Sequence, residues 1–198
     1  MMALKTEITR EDLIPVDQYA ATRKERKAKL TEKKRDRRIE IGPHATFYFE
    51  NFETMWHQIQ EMLYIERGGE DQIEDELSAY NPLVPKGREL VATVMFEIGD
   101  PDRRARVLAK LGGVEETMWI KVGDDKIMGV AETDVDRTNA AGKASSVQFV
   151  HFPFTDAQVK AFRDPNVEVV VGIGHENYPH MSVMPAAVRR ALSEDFAG

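Results

Sequence analysis

The chain of 198 residues contains no cysteine. It can form no disulfide, offers no thiol nucleophile, and cannot hold a cysteine-ligated iron–sulfur cluster or a thiolate zinc site. A divalent metal, if bound, would have to use histidine, carboxylate or neutral oxygen. Long apolar runs are also missing: the longest, LVATVMF and VVVGIG, fall far short of the ~20 residues that span a bilayer. They read as core strands, and no membrane partner is expected. The N-terminal MMALKTEITRED lacks the apolar middle of a secretory signal, which predicts a cytoplasmic location. No GxSxG, Walker loop or nucleophile–base signature occurs. Gly172 and Gly174 begin a GxG, but Asn177 stands where the third glycine belongs. DVDRTNAAG opens like a calcium loop, yet Asn139 replaces the glycine and Ser145 the bidentate glutamate.

What is present is unevenly distributed. The formal net charge is -7, but residues 22–38, TRKERKAKLTEKKRDRR, hold ten Lys or Arg against three acids. The rest of the chain is therefore strongly acidic, so nucleic-acid binding is not expected of the globular part and is left to this one segment. That segment has no aromatic within it to stack on bases. Pairing with acidic surface, such as QIEDEL of this chain or a partner's, is the better reading. Pro15 to Arg37 contains little to break a helix, which would run for roughly 35 Å at 1.5 Å per residue.

RIEIG and ATFYF alternate around Gly42 and Pro43 as two short strands and a turn. A helix follows, capped by Asn51 and ended by Gly68 and Gly69, then an acidic helix, GEDQIEDELSAY, stopped by NPLVPKG. Beyond it the pattern is mostly extended: ELVATVMFEI, TMWIKV, KIMGVAE, SSVQFVHFPF and VEVVVGIGH, with short helices after Asp100, over TDAQVKAF and over PAAVRRALSEDF. Hairpin connections and short helices predict an α+β fold, a mainly antiparallel sheet flanked by helices, with a long basic N-terminal helix. The predicted division is an N-terminal helical extension over 1–40 and a single α+β domain over 41–198.

The helix FENFETMWHQIQEML (49–63) carries the main question. Phe52, Met55, Trp56, Ile59, Met62 and Leu63 form one apolar face. Opposite stand Glu50, Thr54, Gln58 and Glu61, with Glu53 and His57 one step round. Such a stripe is ordinarily a solvated face, yet no lysine occurs between Gly42 and Pro85. Carboxylates and an imidazole on adjoining turns can bind a divalent metal. If the stripe is buried instead, it needs partners, since each unpaired polar group would cost about 1 to 3 kcal/mol. GHENYPH (174–180) brings a second group. His175 reads either as a ligand or acid–base group tuned by Tyr178 or as a residue satisfying backbone at a turn. His151 and Gln148, an odd number apart on one strand, must point to opposite faces.

FENFETMWHQIQEMLYIER, ELSAYNPLVPKGRELVAT, MWIKVGDD, SSVQFVHF and VGIGHENYPH together resemble, in the same order, the bacterial family called domain of unknown function 3501. The resemblance covers nearly the whole chain, basic helix included. It points to Glu50, Asn51, Gln58, Glu61 and Met62, to Tyr80, Asn81 and Pro82, and to His175 and Tyr178. In relatives a histidine stands where this chain has Gln148, a departure that would weaken any metal site there. The genomic setting of the family implies a redox or peroxide-stress association, with rubrerythrin and heterodisulfide-reductase-like proteins as partners. The expectation is therefore a redox accessory that holds a small ligand or divalent metal in a polar pocket between the opening helix and the sheet. Glu50, Glu61 and His175 would be the metal ligands, with Asn51, Gln58, Tyr80, Asn81 and Tyr178 in the ligand site. The rival is an adaptor without chemistry, a homo-oligomer whose polar stripe and basic helix form a subunit interface.

Overall fold

The computed structural model describes residues 4–132, 138–139 and 141–198. Most of the calcium-loop-like stretch lies outside them. Among these residues nine strands form two antiparallel sheets. Sheet A has five strands in the order β1 (Arg38–Ile41), β2 (Ala45–Glu50), β3 (Glu89–Phe96), β7 (Val147–Pro153), β6 (Val130–Ala131). Sheet B has four, in the order β5 (Asp125–Met128), β4 (Met118–Val122), β8 (Val169–His175), β9 (Tyr178–Val183). The α+β class with antiparallel pairing holds, but the single sheet is replaced by two, packed face to face.

Alternation explains that packing. Phe47, Phe49, Ala92, Val94, Val150 and Phe152 point from sheet A toward Met118, Ile120, Val122, Val171 and Ile173 of sheet B, forming one continuous core. Helices α4 (Pro101–Leu108), α5 (Asp156–Arg163) and α6 (Ala186–Ser193) add Leu108, Val159, Phe162, Val188 and Leu192 to it. The other face of sheet A supports a second core, in which Val91 meets Met55, Ile59 and Leu63 of α2 (Phe52–Glu66), Leu77 of α3 (Glu70–Tyr80), and Ile8.

The basic segment is a helix of 20 residues, α1 (Val16–Arg35), two residues short of the predicted end. Only Tyr19 and Leu30 are buried along it, too narrow a stripe for hydrophobic packing to hold it. Its partners must be polar. Helix α2 ends one residue earlier than predicted: Arg67 itself takes the left-handed conformation (φ 53°, ψ 37°), and the two glycines follow it. Between β8 and β9 the chain reverses at Glu176 and Asn177, and Pro179 lies inside β9, an outer strand of sheet B where a missing N–H is tolerated.

Candidate functional site

The polar stripe of α2 is the track on which the N-terminal segment lies. Indole Nε1 of Trp56 donates to the Asp12 carbonyl (2.8 Å). Buried Gln60 accepts from the Ile14 amide (2.8 Å) and donates to the Ile14 carbonyl (3.3 Å). Glu61 accepts from the Tyr19 hydroxyl (2.6 Å) and from Nε and Nη2 of Arg23 (both 2.8 Å), with Lys27 at 3.5 Å. Glu53 takes Lys33 (2.6 Å). The acidic surface that pairs with the basic helix is therefore α2. The acidic helix α3 instead engages Arg10, through Glu70 and Glu74.

Electrostatics follow from this geometry. The Arg23 fork is the largest influence on Glu61; together with Tyr19 and Lys27 it outweighs burial and lowers the carboxyl to about 2. Burial, then Glu61, raises the Tyr19 phenol, so it stays a hydrogen-bond donor. Its oxygen lies 3.1 Å from Nε2 of His57, whose pKa burial lowers. A neutral His57 donating to Tyr19, which donates to Glu61, completes a buried relay that fastens α1 to α2.

The remaining predicted residues have separate structural tasks. Asn51 caps α2, accepting from the Thr54 amide (3.0 Å). Glu50 is buried and accepts from Thr54 (2.6 Å) and Thr93 (2.8 Å). Beside these bonds the Met55–Ile59–Val91 cluster packs between α2 and sheet A. Gln58 reaches the Tyr80 hydroxyl (3.4 Å), and Asn81 pairs with both backbone groups of Ile8 (2.7 and 2.9 Å). His175 Nε2 donates to the Gly112 carbonyl (3.1 Å) while its Nδ1 accepts from Asn177 (3.2 Å). Tyr178 donates to the Ile41 carbonyl (2.7 Å) and accepts from the His44 and Ala45 amides (2.8 and 2.9 Å). It fixes the β1–β2 turn against sheet B, where Gly42 (φ 66°) leaves no room for a Cβ beside the His180 ring.

Glu50, Glu61 and His175 therefore do not meet. Glu50 and Glu61 face the helical layer outside sheet A, and His175 ends a strand of sheet B. Among the described residues no three His, Asp or Glu side chains are placed to hold a metal ion. Gln148 is fully buried, donating to the Ser145 carbonyl (3.0 Å) and leaving Oε1 without a partner among the described residues. It faces the inter-sheet core, and His151 faces the other way, as their odd spacing requires.

Two features were not legible in the sequence. The first is His151, whose Nδ1 meets Glu89 (2.9 Å) and Nε2 meets Glu132 (2.6 Å). Burial disfavours its charge, but the two carboxylates outweigh that and raise its pKa. They occupy opposite ring nitrogens, so all three groups cannot share one metal. The second is the outer face of sheet B. Cross-strand register sets Met128, Trp119, Gly172 and Met181 in one row and Lys126, Lys121, Val170 and Val183 in the next. The indole lies over Gly172, where a Cβ would come within 2.3 Å of Trp119 Cζ2. Lys126 Nζ sits 4.8 Å from the Trp119 ring centroid. Among the described residues nothing covers this face: Met181 is 69% exposed, Val183 60% and Met128 45%. The alternation in MWIKV predicts one outward tryptophan, but only register reveals that its neighbours are apolar too.

The match to the family model of proteins of unknown function, DUF3501, runs over residues 7–196. The chain belongs to the DUF3501 family. It is also similar to a crystal structure from Burkholderia pseudomallei K96243, described as a novel protein of unknown function. That similarity has 33% identity and a TM-score of 0.89, and covers 96% of this chain and 99% of that one. No curated protein matches the chain. Across the described residues no helix is long and apolar enough to cross a membrane.

Proposed function

We propose that this DUF3501 chain is a protein-interaction module without chemistry of its own, acting through the outer face of sheet B. The observation that carries the reading is Trp119, packed over Gly172 in a row with exposed Met128 and Met181 that nothing covers among the described residues. Apolar side chains scattered singly on a surface need no explanation, whereas a contiguous patch centred on an aromatic marks a contact site. The acid–base groups favoured from the sequence support the same reading by being occupied elsewhere: Glu50, Glu61, His175 and Tyr178 each hold secondary-structure elements together.

Site-specific photo-cross-linking in cells tests this. A photoreactive residue at Met181 should yield discrete adducts, and one at exposed Lys24 on α1 should not. Adducts at neither position, or equally at both, would reject the face as the working surface. The redox setting implied by the family resemblance makes rubrerythrin and heterodisulfide-reductase-like proteins the first heterologous partners to look for among such adducts.

A further inference from the structure

The reading above leaves the occupant of the face open. Resting on that reading, we infer that the occupant is a second copy of this chain, joined face to face through sheet B in a two-fold dimer.

The first argument is shape. An indole packed over a glycine, with a methionine at each end of the row, presents the face of a sheet, not its edge. An edge would select an extended strand, whereas a sheet face pairs with another sheet face at about 10 Å, as the two sheets inside this molecule already do.

The second argument is charge. A two-fold axis lying along the Met128–Trp119–Gly172–Met181 row sets that row on itself and inverts the strand direction. It then places the Lys126–Lys121–Val170–Val183 row over the opposite end of the second copy's face, where Gly174 pairs with Pro179 and the Glu176–Asn177 turn lies. Valines meet glycine and proline, and the lysines, which stay over β5 and β4, move away from lysines to the end of β4 where Thr117 lies beside Gly174 and follows the exposed Glu116. Lys126, which packs on Trp119 in the single chain, can swing to the rim and keep its charge in water.

The third argument is size. Four strands at about 4.8 Å spacing and roughly 20 Å of strand length give a footprint on the order of 400 Å² per copy. Two such footprints, about 800 Å² together, fall in the range of weak, transient contacts, so the dimer should form only toward the upper end of the concentrations tested. Each chain carries a net charge of -7, so the copies repel at long range while the contact itself is apolar. Screening by salt should therefore strengthen association.

Sedimentation equilibrium of the full chain, from low to several hundred micromolar, is the test. The expected result is a monomer–dimer equilibrium that tightens with salt. It should weaken roughly tenfold or more in the double variant Met128→Lys, Met181→Lys, with the thermal transition unchanged because both side chains are already exposed. A chain that stays monomeric throughout, or a dimer indifferent to the two lysines, would overturn the inference. The cross-linking experiment separates the two levels. A monomer that still gives Met181 adducts with another protein loses the dimer and keeps the interaction module; a monomer with no adducts loses both.

Discussion

The two outer faces of the sandwich are built in opposite ways. Sheet A carries α2 and α3 on a second apolar core, with α1 laid across α2 by hydrogen bonds and ion pairs. Among the described residues nothing packs on the outer face of sheet B, although its outward row is largely apolar. The polar surface that looked functional in the sequence is internal cement, and the apolar row that strand register assembles on sheet B is open. Burial alone does not separate structure from function: a polar group with every partner inside the chain is structural, and an apolar group with none is available.

The largest expected effect lies where the covered side is anchored. Arg37, at the α1–β1 junction, is buried with Asp195 and also donates to the carbonyls of Phe49 (3.0 Å) and Glu50 (3.1 Å). Arg37→Ala would leave Asp195, whose carboxyl burial raises to about 6 against the pull of Arg37, buried without its cation, so we expect a loss of about 3 to 5 kcal/mol, read by chemical denaturation. A loss under about 1 kcal/mol would mean that the junction is solvated and the contrast between the faces overstated.

Next comes the cement itself. Glu61→Ala strands Tyr19 and Arg23 and should cost about 1 to 3 kcal/mol, with amide exchange rising over α1 and unchanged in β3 and β8. Acid should act in the same place. The Glu61 carboxyl is lowered to about 2, so its contribution is present above the ordinary carboxylate range and is lost as pH falls from about 4.5 toward 2. Helix α1 should detach in that window before the sandwich unfolds; a single concerted acid transition would contradict this.

A smaller effect of opposite sign in pH belongs to His151. Its pKa is raised in the fold by Glu89 and Glu132 against the pull of burial. The stability it contributes is therefore full below about 6.5 and disappears as pH rises through the folded value. The stability gap between the parent and His151→Gln should be wide near pH 6 and narrow in alkali. A gap that grew with pH would show the imidazole to be neutral.

The smallest stability effect is expected on the bare face. Met128→Lys with Met181→Lys should stay within about 0.5 kcal/mol of the parent while removing contacts with other molecules. A large destabilisation would make sheet B's outer face structural after all.

Much of this architecture is legible in the sequence because it is local. Alternation in ELVATVMF and SSVQFVHF, the Asn51 cap, the Asp100–Pro101 helix start and the stops at NPLVPKG all act within a few residues, and they appear where expected. The split into two sheets was not legible, because pairing β4 with β8 across some 50 residues leaves no periodic signal. The stripe Glu53–His57–Glu61 was visible, but not its occupant: the partners Tyr19, Arg23 and Lys33 sit 20 to 42 positions earlier. The bare face was hidden for the same reason, since Trp119, Gly172 and Met181 become neighbours only through register.

The most direct measurement of the central claim uses Trp119 itself. The chain has two tryptophans, so Trp56→Phe leaves Trp119 as the only indole to emit. Its quenching by acrylamide should be strong in dilute protein and fall as concentration rises and a second copy covers the indole. Quenching that stays strong at every concentration, with and without added partner proteins, would contradict the claim that this face is where the molecule makes contact.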